Sequence, residues 1–376
     1  MLVLGERLVE TFRDPPTDRE VMMKTTSTRS GPLGVALALL ITAACGGEEA
    51  GDPVVEARAR ALGGVVDEVI VVAAHTFAKS AEWFEADASS MCERADRASS
   101  SQVDLLRRRW GHLVTDWNFL SPFYFGPLDD DPVLPTMVFI ESMRRDGTDH
   151  TGTVRELIDE VSTGTAALNE AFFDALTFDQ VGMLALEVLL YDSRYSNDVA
   201  AGFRAHPRRC QLLENLAARM NDRAERVRRG WVEAFGPSGV PYRAQFLAGH
   251  TGRDAEPLEL LLAAVDDHFD YVRGQKLPTG ADLSWSLNRG VSASLRATSA
   301  LMDPPNFGSE GLAEALDAAG AEDLTWAVRI AIGEGISAYH RDDRAALTEA
   351  VGEISRLFRD ELPEALGIES DAPTRE

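Results

Sequence analysis

The chain has 376 residues, with 61 Asp and Glu against 37 Lys and Arg, a formal charge of −24, and three cysteines. That acid excess excludes a nucleic-acid-binding or anionic-membrane surface, either of which needs clustered Lys and Arg. A hydrophobic fraction of 45% excludes a disordered chain, and three cysteines exclude a disulfide-dense scaffold.

Residues 1–44 read as a leader. Lys24 and Arg29 precede the apolar run 33–44, which ends on small residues, the order of a secretory signal. Met23-Lys24 is its more natural start. The run rises only about 18 Å as a helix, too short for a hydrocarbon core of about 30 Å. Thr42-Ala43-Ala44-Cys45 resembles a bacterial lipobox, which implies a diacylglyceryl group on Cys45, export, and attachment to the cell membrane or outer membrane from the periplasmic side. Residues 45–54, rich in Gly and acids, form a flexible tether. The leader carries as many acids as bases, so the charge of −24 belongs to the mature chain, whose only lysines are Lys79 and Lys276. Cys92 and Cys210 are then the remaining thiols, and an oxidising periplasm permits a bridge between them.

The mature chain has helical periodicity throughout. Residues 54–86 place Leu62, Val65, Val69, Ala73, Phe77 and Phe84 on one face. Val103, Leu106, Trp110, Leu113, Trp117 and Leu120 follow a cap candidate at Ser99-Ser100-Ser101. Similar series start after Pro207 (Leu213 to Trp231), at Leu258 (through Val265 to Val272) and at Leu347 (through Val351 to Phe358). No series of alternating strands appears. These seams predict an all-α protein built of antiparallel helical bundles. The Gly/Pro-rich stretch near 237–255 divides it into an N-terminal bundle over 55–236 and a C-terminal bundle over 256–368, with a frayed tail at 369–376.

Nucleotide-loop, serine-hydrolase and His-Glu-x-x-His signatures are absent. The outlier is Glu187, the only charge between Asp179 and Asp192 in an otherwise apolar helix. A buried carboxylate must be paired, hydrogen-bonded, metal-bound or protonated. Arg209 and Arg273 are the candidate ion-pair partners. Gly182 in the same helix suits a close approach of backbone or ligand. His112 with Asp116, at i and i+4, reads as a solvated surface pair. His268, within Asp266-Asp267-His268-x-Asp270, reads as part of an acidic outer face. With Glu187, these three are the only candidate donors for a divalent metal or iron, and none makes a site alone. Asp129-Asp130-Asp131 reads as a solvated turn and the paired tryptophans as core knobs.

Gly182-x-Leu184-x-x-Glu187 followed by Leu189-Leu190-Tyr191 resembles the Gly-x-His-x-x-Glu helix of the imelysin family. Trp110-x6-Trp117 with Phe125-Gly126-Pro127-Leu128, then Arg208-Arg209, Arg273-x-x-Lys276-Leu277-Pro278-x-Gly280, Ser294-Leu295 and Leu366-Gly367 agree in order. The resemblance implies two bundles with an interface pocket around Gly182, Leu184, Glu187, Arg209, Arg273 and Ser294. Its members are exported or outer-surface proteins, some named as insulin-cleaving peptidases and some acting in periplasmic iron uptake. The motif's His and Glu are the family's proposed metal ligands. Leu184 stands where that His belongs, and leucine can neither bind a metal nor carry a proton. The expectation is therefore a non-catalytic envelope lipoprotein that binds a small ligand. A metal-dependent peptidase and an iron-uptake component are the alternatives.

Overall fold

The computed structural model describes residues 52–192, 198–279, 286–306 and 308–368. The leader, Cys45 and the tail from 369 lie outside them, as does Gly280. The described chain is helical and has no strand, only an isolated antiparallel bridge between Phe235 and Val240.

Helix α1 spans Pro53–Cys92, with a π turn at Val66–Ile70. Asp52 caps its N-terminus, its side chain accepting from Val54 N–H, and Pro53 fills the first position, where no N–H is needed. α1 is long and apolar enough to cross a membrane by length and composition. Its apolar stripe is buried instead: Phe77 and Phe84 are inaccessible, each worth about 1.5–3 kcal/mol. Helix α2, Ser100–Leu120, begins with the expected cap, Ser99, which forms a reciprocal box with Gln102. Its Trp117 packs on Phe77 of α1, ring centroids 5.3 Å apart.

The later helices are α3 (Thr151–Thr163), α4 (Gly182–Tyr191) and α5 (Pro207–Val232). They are followed by α6 (Pro257–Tyr271), α7 (Ser286–Met302), α8 (Leu312–Ala318), α9 (Glu322–His340) and α10 (Arg344–Arg356). α1, α2 and α5 pack together, with α3 and α4 against α5; α6 and α7 pack on α10 and α9. The two bundles meet where α7 lies along α2. α1 touches both, its first turns on α8 and its later ones on α2 and α5. A disulfide between Cys92 and Cys210, Cα atoms 5.2 Å apart, ties the end of α1 to the start of α5.

Aromatic packing fixes the irregular stretches. Gly126, at φ +57°, lets the Phe125–Leu128 turn pass against Tyr242, whose ring a Cβ would meet at 2.3 Å. Phe125 stacks on Phe246 and meets Trp231 edge-on.

Candidate functional site

The buried polar centre lies along the α2–α7 contact, built from five segments. Glu141, in the stretch before the short helix Met143–Asp146, accepts three hydrogen bonds. Trp117 Nε1 donates to its Oε2 at 2.8 Å, while Tyr271 Oη and Lys276 Nζ donate to its Oε1 at 3.0 and 2.6 Å. Lys276 also donates to Asn118 Oδ1 at 2.8 Å. Burial alone would raise the Glu141 carboxyl; the Lys276 charge and the hydrogen bonds from Lys276 and Trp117 bring it below its ordinary value.

Tyr271 and Lys276 are five residues apart, and in an α-helix such side chains point about 140° from each other. Here α6 ends in a π turn, Val272–Lys276, whose i→i+5 spacing brings the two toward one face. Both therefore reach the same carboxylate oxygen.

Beside this pair runs a chain of hydrogen bonds. Arg144 donates from Nη1 to His268 Nδ1 at 3.0 Å, and His268 Nε2 meets Ser294 Oγ at 2.9 Å. Because arginine can only donate, His268 Nδ1 accepts and Nε2 carries the proton. Ser294 Oγ then donates to Asn118 O at 2.9 Å. His268 and Ser294 are fully buried. Burial, with Arg144 and Lys276 nearby, drives the imidazole well below its ordinary value, so it is neutral at pH 7.

Over this centre opens a cleft of about 480 Å³, lined by Tyr124, Arg144, Asp267, Asp270, Tyr271 and Gln275 among others. The Arg144 guanidinium sits between the Tyr124 and Tyr271 rings, 5.3 and 4.8 Å from their centroids. Among the described residues no carboxylate lies within ion-pair distance of it. Glu141, the acid beside it, is engaged by Lys276.

The motif helix α4 stands behind this centre. Gly182 has φ +80°, and a Cβ there would lie 2.5 Å from Ile140 O and 2.7 Å from Phe139 O. Met183 N–H donates to Ile140 O at 2.9 Å. The close approach expected at Gly182 is thus with backbone, and it braces the segment that carries Glu141. Leu184 is partly buried and packs on the core. Glu187 is buried and, with Arg107 and Arg289, lies within electrostatic reach of Tyr191, whose hydroxyl burial pushes up.

The other residues singled out in the sequence are dispersed. Arg209 is buried on α5 with its guanidinium over Phe203, whereas Arg273 is exposed and pairs with Asp270, not with Glu187. Ser294 does join the buried centre. His112 is exposed on α2 and lies within electrostatic reach of Asp116, whose half-buried carboxyl is raised by burial and accepts from Ser80 Oγ. His268 is not on an acidic outer face. It points inward, while Asp266 accepts from Ser355 and Asp270 pairs with Arg273. Trp117 is a core knob that also donates to Glu141. The 129–131 turn is held by Asp131 accepting from Val133 and Leu134 N–H, and Asp129 pairs with Arg253. Glu141 and Arg144 escaped sequence reading because they stand in an irregular stretch with no periodicity. Lys276 carries two signals, as one of two lysines in the mature chain and as part of the Arg273-x-x-Lys276-Leu277-Pro278 segment.

The imelysin family model matches residues 70–298. The chain belongs to the imelysin family. An imelysin-like protein from Psychrobacter arcticum shares the fold at a TM-score of 0.64 and 16% identity, over 83% of this chain and 96% of that one. A "putative iron-regulated protein A precursor" from Parabacteroides distasonis does so at 0.58 and 14% identity, over 81% of this chain and 95% of that one. No curated protein matches. In this imelysin Leu184 is apolar, and among the described residues no three His, Cys, Asp or Glu side chains converge.

Proposed function

We propose that this imelysin is an exported, lipid-anchored protein of the cell envelope that binds a small polar ligand at the junction of its bundles, without hydrolytic chemistry of its own. The carrying observation is Arg144. A guanidinium held between two tyrosines at the wall of a cleft, with no carboxylate within ion-pair distance among the described residues, is an anchor for a ligand. The same cleft is also lined by Asp267 and by Asp270, the latter paired with Arg273, so its wall carries both signs of charge, which favours a ligand bearing both signs, such as an amino acid or short peptide end. Export is supported by the leader pattern and by the Cys92–Cys210 bridge, which persists in oxidising compartments.

Native mass spectrometry of protein extracted from membranes tests the whole reading. The expected result is a lipid mass on Cys45 and a small non-covalent adduct that Arg144→Gln loses. A wild-type protein without an adduct, and without a thermal shift from amino acids or short peptides, sinks the ligand; a mass without lipid sinks the anchor. Iron uptake is a second reading, favoured by the "iron-regulated" description of one structural relative.

A further inference from the structure

We propose a second binding site, for a small multiply charged oxyanion, on the other stretch of the α2–α7 contact. A pocket of about 460 Å³ is bounded by α2 (Gly111, His112, Thr115), α7 (Arg289, Ser292, Arg296) and α9 (Ile336, Tyr339, His340). Its lining holds two guanidiniums, two imidazoles and the Ser292 and Tyr339 hydroxyls and, among the described residues, no carboxylate. In a chain of charge −24 such a lining goes against the composition.

The two arginines lie seven residues apart, two turns along one helical face. Among the described residues neither is hydrogen-bonded or ion-paired to a carboxylate. Asp116 lies within electrostatic reach of Arg296 and His112, yet it accepts from Ser80 Oγ. Gly111 keeps the floor open: a Cβ there would lie 2.4 Å from Arg289 Nη1. Two planar forks and a ring of further donors around a concave space match the oxygens of a phosphate or a polycarboxylate.

Calorimetry of the full mature protein at low chloride, with inorganic phosphate, pyrophosphate and citrate as probes, tests this. The expected result is saturable 1:1 binding of at least one probe. Arg289→Gln and Arg296→Gln should each weaken it about tenfold, and together about a hundredfold. Both side chains are exposed, so the variants should keep the wild-type circular dichroism and melting. Arg226→Gln, at an exposed arginine of α5, should change nothing. Tighter binding of the phosphate probes identifies a phosphoryl group; tighter citrate identifies carboxylates. Absence of saturable binding at about 10 mM, or loss as large with Arg226→Gln, overturns the site. Loss with Arg144→Gln alone places the anion in the other cleft and overturns it equally.

Discussion

The motif helix α4 and the buried centre around Glu141 invite comparison, because the sequence advertises the first and conceals the second. α4 carries the family signature and a conspicuous isolated acid, yet its glycine serves to dock the helix on the 139–140 backbone. Glu141 itself stands in no motif, and the groups of its centre come from positions 117, 118, 141, 144, 268, 271, 276 and 294, spread over several segments. A signature that can be read in one helix here supports a site that only several segments together can make.

The sharpest way to break this comparison is to remove each acid in turn. Glu141→Ala leaves Lys276 buried without its carboxylate and should cost about 3–5 kcal/mol in denaturant unfolding, while Glu187→Gln keeps its polar shape and should cost less. A larger loss at Glu187 would return α4 to the centre of the molecule. Gly182→Ala should cost about 2–4 kcal/mol, since the new methyl meets two carbonyl oxygens in a backbone conformation that L residues avoid. It should also weaken ligand retention at Arg144, because the braced segment moves. Unchanged melting and binding would remove α4 from any supporting role.

The smallest effect concerns pH. The folded state holds His268 neutral well below its ordinary value, so below about pH 6.5 the unfolded chain binds a proton that the folded chain refuses. Stability should therefore fall as pH drops from about 7 to 5, by at most about 1.4 kcal/mol per pH unit from this group. His268→Gln should flatten that slope in melting curves recorded across the range. An unaltered slope would mean that the imidazole is not buried as described.

Much of the fold was legible in the sequence. The 3–4 alternation gave the helical series, the Ser99 cap formed as read, and the ordered motifs led to the family. The site was legible only in fragments. Ser294 was found because it stands in a family segment. Three aspartates around His268 suggest an outer face, while helical rotation turns the imidazole inward and leaves only Asp267 and Asp270 outward, Asp266 being half-buried against Ser355. Arg273 was paired with the wrong acid because sequence carries no distance between helices.

By itself, then, the amino-acid order determined what is local: periodicity, caps, the apolar faces that must be covered, and a leader pattern ahead of an acidic body. Only the tertiary structure decided which polar groups would share an interior. A π turn that swings Lys276 beside Tyr271, and a glycine that admits a helix to a carbonyl, act across contacts between residues far apart in the chain. Burial charges each polar group for its lost water, so the partners that restore its hydrogen bonds are set by packing and not by sequence spacing.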